Sequence, residues 1–433
     1  VGRGEKPLRK EPVRDKESLR GESLFDEGDE ARKNEKSVRE ESVREESVRQ
    51  KPLRQKVVLL PILFLGIALS PLSSTGGEPS LSGHWKRPAN AGGGHFSPQP
   101  EKCGSCHVAQ YEAWRGSRHA KAVGPGLLGQ LDVGNAPDTA LSCYQCHAPL
   151  LEQEEILEKA GGKYLPNRRF DATLKKSGVS CAACHVRNGK VVGPPPSGGL
   201  KTANTDAGKH AASESRGFFR KSEFCAACHQ LDEGYELNGT PLTNTYREWQ
   251  QSSWGENGVQ CQQCHMPDRQ HLFRGIHDKE MTLSAIDIFL SGEEGKSKIT
   301  ITNTGAGHYF PTYVTPLIVI KAFLADAEGK AVPGSLKEDF IGRSVSPGLD
   351  KQEFDTRIAP GGKHEFRYGP KDRAKGRAVF EIWVYPDRFY NRFFESLLHG
   401  NAAVNAASIG VGLRETEKSP YLLWKAEEPL PRR

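Results

Sequence analysis

The sequence predicts an α+β chain in three parts. Short helices and loops cover residues 101–284, a small antiparallel β-sandwich covers 285–386, and a helix with a tail closes the chain over 387–433. Three observations lead there. All ten cysteines fall between residues 103 and 265, in five copies of Cys-x-x-Cys-His whose starts lie 36 to 44 residues apart. Beyond residue 285, short segments rich in β-branched and aromatic residues alternate with Gly/Pro/Asp turns, the mark of strands. Last, Phe389, Phe393 and Leu397 repeat at i, i+4 and i+8, which gives a helix one apolar face.

Taken in order, residues 1–56 carry few large apolar side chains and many charges of both signs. They show a pentapeptide rhythm in Ser37–Glu41, Ser42–Glu46 and Ser47–Lys51. A period of five matches neither helix nor strand, so this low-complexity stretch is expected to be disordered. The chain opens on Val1 and its only methionines are Met266 and Met281, so translation is expected to start further in, near Val48. A basic stretch with Lys51, Arg54 and Lys56 then precedes the apolar run Val57–Leu72 and the small residues Ser73–Gly77. The run is shorter than the roughly 20 residues that span a bilayer and contains Pro61 and Pro71. Residues 57–77 therefore read as a secretion signal before an N-terminal anchor, with membrane association through 57–72 as the alternative. No cysteine precedes Cys103, which excludes a lipoprotein anchor. Residues 78–100 read as a linker.

The five pentapeptides are Cys103–His107, Cys143–His147, Cys181–His185, Cys225–His229 and Cys261–His265. Cys-x-x-Cys-His is the attachment motif of a c-type haem, with two thioether bonds from the cysteines and an iron bond from the histidine. The thioether pairs are Cys103 with Cys106, Cys143 with Cys146, Cys181 with Cys184, Cys225 with Cys228, and Cys261 with Cys264. Structural zinc sites need no histidine directly after each cysteine pair, and no cysteine here is left over. The reading is five covalently attached haems, with porphyrins forming much of the interior because so little protein separates the motifs. Export fits, since such haems are attached outside the cytoplasmic membrane; the expected location is the periplasm or cell surface. The formal charge of +6 falls by roughly ten units once haem propionates are counted. No basic stripe with interleaved aromatics favours nucleic acid.

An iron that only shuttles electrons takes a sixth ligand. Two methionines cannot serve five haems, so histidine must do most of this, and nine are left. His119 leads, on a helical pattern after Tyr111, Trp114 and Ser117. His271 and His277 follow the last motif closely enough for at least one to turn back over the cluster. His308 lies in a glycine-rich turn, Gly305-Ala-Gly-His-Tyr-Phe-Pro311, that allows close backbone approach. His210 has its position between motifs in its favour, His95 less, and His84, His364 and His399 read as surface residues.

Parallels between the first and fourth motifs (Trp114-x-x-Ser117, Trp249-x-x-Ser252) and between the second and fifth (Cys-His147-Ala-Pro149, Cys-His265-Met-Pro267) read as a duplicated two-haem module around a third haem. The place equivalent to His119 is then Trp254. Indole offers iron no lone pair, so either another histidine substitutes or one haem keeps an open sixth site.

These residues resemble the multihaem cytochrome c family that includes cytochrome c-554 and the c-552/4-type domain. The resemblance rests on His107 followed by Tyr111-x-x-Trp114-x-x-Ser117-x-His119-Ala, on Tyr246-Arg-Glu-Trp249 before Gly258-Val-x-Cys261, and on Cys-His265-Met-Pro267. It covers residues 101–280 and is extended by Gly307-His-Tyr-Phe-Pro-Thr312. It implies stacked, mostly bis-histidine haems that relay electrons between redox partner proteins. Cytochrome c-554 has four haems, so the arrangement of five does not carry over.

In the C-terminal part, Ile299–Thr302, Leu317–Ala325, Glu365–Tyr368 and Ala378–Tyr385 read as strands, with no nucleophile–base pair or phosphate loop among them. Its expected role is to cover the haem cluster, supply His308 or present a docking surface. The leading functional expectation is an exported pentahaem electron carrier. The alternative is a haem oxidoreductase acting on a nitrogen or sulfur compound such as nitrite or hydroxylamine at an open sixth site.

Overall fold

A computed structural model of the chain describes residues 80–429 except 93–96, 135, 196–209, 211–212, 232–233, 294–295, 370–376 and 401–404. The disorder, start-site and secretion-signal expectations, and His95, lie outside the described residues.

The cysteine-rich part is built from short helices that the motifs themselves begin or end. Helix α1 (Val108–Arg115) follows the first motif and is anchored by Trp114 rather than by a long apolar face. Helices α2 (Pro125–Gly134) and α3 (Pro137–His147) each open on a proline, whose fixed φ and missing N–H suit a first turn. Helix α3 stops on His147 itself. Helix α4 (Thr245–Gln250) carries Glu248 and Trp249. Short two-residue to four-residue hairpins and loops join them.

Side chains alone give this part little interior. One of its buried apolar clusters is Ala89, Ala91, Leu150, Leu174, Ala182, Ala183 and Val186, mostly alanine. The C-terminal part is the opposite, with a core of Ile299, Ile301, Ile318, Ile320, Ile341, Phe366, Phe380 and Ile382. Burying each of those chains stabilises by about 1.5–3 kcal/mol relative to exposure.

That core lies between two antiparallel sheets. In chain order the strands are β1 (Ile286–Glu293), β2 (Lys296–Asn303), β3 (Leu317–Ala325), β4 (Lys337–Val345), β5 (Gln352–Asp355), β6 (Lys363–Tyr368), β7 (Arg377–Tyr385) and β8 (Tyr421–Pro429). One sheet runs β5-β4-β3-β7-β8 and the other β6-β2-β1. The register pairs Val319 with Trp383 and Ile320 with Ile382, which keeps each strand's alternate residues on one face. Helices α5 (Arg388–His399) and α6 (Ala406–Lys418) pack on each other and on α2. Phe389, Phe393, Phe394, Leu397 and Ile409 form the contact.

Three expectations change. The tail after the first C-terminal helix holds a second helix and then β8, which pairs with β7 at the sheet edge. Its apolar residues are few, but Leu423 is buried and Trp424 packs beside it. The stretch read as a linker is tied down: the Ala89 amide donates to the Pro149 carbonyl and the Leu151 amide to that of Ala89, at 3.0 and 2.9 Å. His84, read as a surface residue, is buried among Trp85, Phe218, Phe219 and Phe224. His364 is half-buried against Asp339 at 3.0 Å, and His399 is exposed. Among the described residues, no helix is long and apolar enough to cross a membrane.

Candidate haem centre

Four of the five motif histidines have Nδ1 engaged. His147 donates to the Ala122 carbonyl at 2.8 Å, His185 to that of Val192 at 2.8 Å and His265 to that of Arg274 at 2.7 Å. His229 Nδ1 is hydrogen-bonded to the Tyr313 hydroxyl instead. A carbonyl accepts only from a protonated Nδ1, which leaves Nε2 with its lone pair free for a metal. Burial also pushes the His185 and His229 imidazoles down to about 4, and lowers His147 and His265 in the same sense. The rings are therefore neutral, as iron ligands must be.

Opposite four of the five motif histidines, His147 excepted, stands a second histidine. His107 faces His210 with ring centroids 6.1 Å apart and planes 6° from parallel. His229 faces His119 at 6.0 Å, His185 faces His271 at 6.0 Å, and His265 faces His308 at 6.3 Å. Two imidazoles bound to one metal, each with a bond of about 2 Å, put their ring centres about 6 Å apart. Direct stacking or a hydrogen bond would bring them closer. The outer rings are prepared like the inner ones: His271 Nδ1 donates to the Arg269 carbonyl at 3.0 Å and His308 Nδ1 to that of Tyr309 at 2.9 Å. Burial pushes His119 down to about 3.

Sequence reasoning named His119, His210, His271 and His308 but could not say which motif each would face. Of the pair His271 and His277, only His271 faces a motif histidine. His277 turns instead to Asp387, the residue before α5, with Nε2 2.9 Å from Oδ1. Among the described histidines none stands opposite His147.

The motifs also touch one another. Thiol hydrogen bonds join Cys103 to Cys181, Cys146 to Cys228, and Cys225 to Cys261. Arg87 reaches two of these motifs at once, with its guanidinium 3.4 Å from Cys146 Sγ and 3.0 Å from Cys228 Sγ. The fourth motif thus adjoins both the second and the fifth.

The cysteines are not equally enclosed, and here the expectation of a shared interior needs correcting. Cys106 and Cys264 are exposed, whereas the other eight are half-buried. Cys106 touches the hydroxyl of its own neighbour, Ser105, at 4.0 Å rather than a thiol of another motif. The reason is the position of the first motif, whose Ser105, Cys106 and His107 lie on the surface together with Val108 at the start of α1. Its partner Cys103 turns inward to Cys181, so the first motif has one sulfur inside and one facing water. An exposed sulfur can still form a thioether; what changes for Cys106 is its burial, and the haem edge it would hold lies at the surface.

Buried polar atoms without a protein partner also lie around the motifs: His84 Nε2, Trp85 Nε1, Ser180 Oγ just before Cys181, and Gln262 Oε1 inside the fifth. Neutral paired imidazoles, adjacent thiols and these polar atoms fit haem. Among the described residues, no three His, Cys, Asp or Glu side chains converge as a cage for a bare metal ion.

The internal duplication is present in a different form from the one the sequence suggested. Trp114 Nε1 donates to the Val179 carbonyl, two residues before the third motif, at 2.8 Å. Trp249 Nε1 donates to the Val259 carbonyl, two residues before the fifth, also at 2.8 Å. Glycines with positive φ, Gly178 at 57° and Gly258 at 73°, precede the two valines. The repeated unit is therefore the first with the third motif and the fourth with the fifth; the second motif is the inserted one. The Cys-His-x-Pro likeness of the second and fifth motifs misled because it is only four residues long.

Trp254 does occupy the place of His119, and the chain adapts to it. Gly307 lies flat on the indoles, where a Cβ would sit 3.0 Å from Trp254 Cβ and 3.2 Å from Trp249 Cδ1. The next residue, His308, reaches His265. Glu248 holds this loop: it accepts from the Tyr309 amide at 3.1 Å, from Thr312 Oγ1 at 2.8 Å and from Arg357 at 2.9 Å. Thr312 Oγ1 is 2.9 Å from Thr245 Oγ1, and Thr245 bonds the Tyr313 hydroxyl. A hydrogen-bonded chain thus runs from the His229 imidazole to a buried carboxylate. Sequence reasoning missed Tyr313, Glu248 and Arg357; the only signal was a charged residue beside Trp249.

The family model described as cytochrome c554 and c-prime matches residues 102–186. A crystal structure of a penta-heme cytochrome c552 from Thermochromatium tepidum is 19% identical, with a TM-score of 0.50. The match covers 76% of this chain and 98% of that one. No curated protein sequence matches. A cytochrome c554-type domain is therefore present, within a chain that shares the fold of a penta-haem cytochrome.

Proposed function

We propose that the chain is an exported c-type cytochrome that carries five haems and relays electrons between redox partner proteins. The observation that carries this reading is the set of four histidine pairs with ring centroids 6.0–6.3 Å apart. Bound haem would supply a one-electron ferric/ferrous couple at each site. His107/His210, His185/His271, His229/His119 and His265/His308 would hold the irons, and the ten motif cysteines would hold the porphyrins. The thiol contacts of the fourth motif with the second and with the fifth support an unbranched order from the second through the fourth to the fifth. Partners would dock from the periplasm or cell surface.

A second reading concerns the site of Cys143, Cys146 and His147. His147 is anchored like its counterparts but faces no described histidine. An iron there with an open sixth position would let the protein act on a small nitrogen or sulfur compound. Electron paramagnetic resonance of the oxidised holoprotein separates the two readings. Five low-spin centres, unmoved by nitrite or cyanide, fit a carrier alone. Four low-spin centres and one high-spin centre that shifts with added ligand fit the second reading. Porphyrin-free protein from a competent host would end both.

A further inference from the structure

Arg87 stands between two motifs, and the stretch that carries it is fixed on both flanks. On one side the Ala89 amide and carbonyl bond Pro149 and Leu151, just past the second motif, at 3.0 and 2.9 Å. On the other, the Trp85 ring lies 4.9 Å from that of Phe224, two residues after Ser222 and directly before Cys225. Between these anchors the guanidinium donates to the Ala227 carbonyl, inside the fourth motif, at 2.9 Å. The same group meets Cys146 Sγ at 3.4 Å and Cys228 Sγ at 3.0 Å. Among the described residues, no carboxylate forms an ion pair with it.

Arg187 shows what a packing role looks like. Its Cζ also lies over the Trp85 ring, at 5.3 Å against 5.5 Å for Arg87. Its bonds go to four carbonyls, those of His84, Ala182, Ala183 and Val186, at 2.6–3.3 Å. Those bonds hold the third motif to the stretch before Arg87. Arg87 gives one bond to a carbonyl and turns the rest of its fork to sulfur.

A thioether sulfur is bonded to the porphyrin's own side chain and carries no charge. A cation against that sulfur therefore lies at the edge of the macrocycle. The guanidinium stays protonated at any working pH. Passing from ferric to ferrous adds one electron to a site, with no bond made or broken. A positive charge beside the site stabilises the ferrous form relative to the ferric one. Arg87 is half-buried, which limits screening by salt.

We propose that Arg87 raises the reduction potentials of the haems held by the second and fourth motifs together, through one charge seated between a sulfur of each. Because one group acts on both, the difference between the two potentials changes less than either value. That difference drives the step from one haem to the other. Each iron takes one electron, from a reduced partner protein or, in a titration, from dithionite. The inference goes beyond the five-haem relay and rests on it.

The test is a spectroelectrochemical titration of the full-length holoprotein as wild type, Arg87→Gln and Arg87→Lys, with intact mass to count haems. Arg87→Gln lowers two of the five midpoint potentials together. Arg87→Lys keeps the charge and holds both near their wild-type values. In the Cys143→Ser/Cys146→Ser background only one midpoint is left for Arg87→Gln to lower, which assigns the pair. Arg87→Met carries the same comparison if Arg87→Gln fails to retain five haems. Unmoved midpoints in a five-haem Arg87→Gln protein, a shift of one midpoint alone, or equal shifts in the Gln and Lys variants would overturn the proposal and leave the relay standing. A wild type with no haem at the second or fourth motif would remove the relay reading and this proposal with it.

Discussion

The sites of His265 and His147 begin alike and end differently. Both histidines close a Cys-x-x-Cys-His turn, both fix Nδ1 on a backbone carbonyl, at 2.7 and 2.8 Å, and both are kept neutral by burial. His265 is met by His308, delivered from the sandwich on a loop that Glu248 and Arg357 clamp. His147 is met by no described histidine. The motif decides where iron can be held. What arrives from far along the chain decides whether that iron is closed to other ligands.

The strongest way to break this contrast is to delete one site. The double variant Cys143→Ser/Cys146→Ser is expected to lose one haem by intact mass and, if the iron at His147 has an open sixth position, the whole high-spin resonance with it, leaving four low-spin centres. Survival of the high-spin signal would place the open iron elsewhere. Next in size, His308→Ala should leave His265 without a facing histidine, as His147 is among the described residues, so that an additional high-spin centre appears by the same spectroscopy. An unchanged spectrum would remove His308 from the ligand set.

A subtler effect tests the second difference among the sites. Among the described motif histidines, only His229 has its Nδ1 hydrogen-bonded to a side chain, and the bonds beyond Tyr313 lead through Thr245 and Thr312 to Glu248. A bond chain ending on a carboxylate raises imidazole basicity and favours ferric iron. Tyr313→Phe should therefore raise one midpoint potential in a spectroelectrochemical titration and leave the others in place. A titration identical to wild type would reduce the chain to packing.

The smallest expected effect is on stability. Glu154, in the turn that follows the second motif, is pushed by burial from 4.5 up to about 7. Between those values the native state holds a proton that the unfolded chain has lost, so stability falls as pH rises through this window. Glu154→Gln should flatten that slope in denaturant melts measured from pH 4.5 to 7. A slope equal to wild type would assign it to other groups.

The legible and the illegible parts of the sequence divide by distance along the chain. The pentapeptides are local, and so are the β-branched runs that became β3 and β7 and the Phe389/Phe393/Leu397 face of α5. The outer histidines were legible as residues but not as pairs, because His107 meets His210 and His119 meets His229 across a hundred residues. The exposure of Cys106 was hidden for the same reason, since all five pentapeptides look alike and only their distant neighbours set them inside or at the surface. His84 looked exposed because its burial depends on Phe218, Phe219 and Phe224, equally remote. The last strand was masked by its charges: in Tyr421–Pro429 only the first half is apolar, and its partner β7 lies beyond two helices.

The order of the residues along the chain has a consequence for how the protein is matured. If the chain is exported amino end first, as proposed, His119 emerges long before Cys225 and Cys228, so the iron bound at His229 would find its second imidazole waiting. The iron bound at His265 would be exposed to any small ligand until His308 follows, and would stay so if the sandwich failed to form. Completion of that centre is then a report that the carboxyl-terminal half has folded.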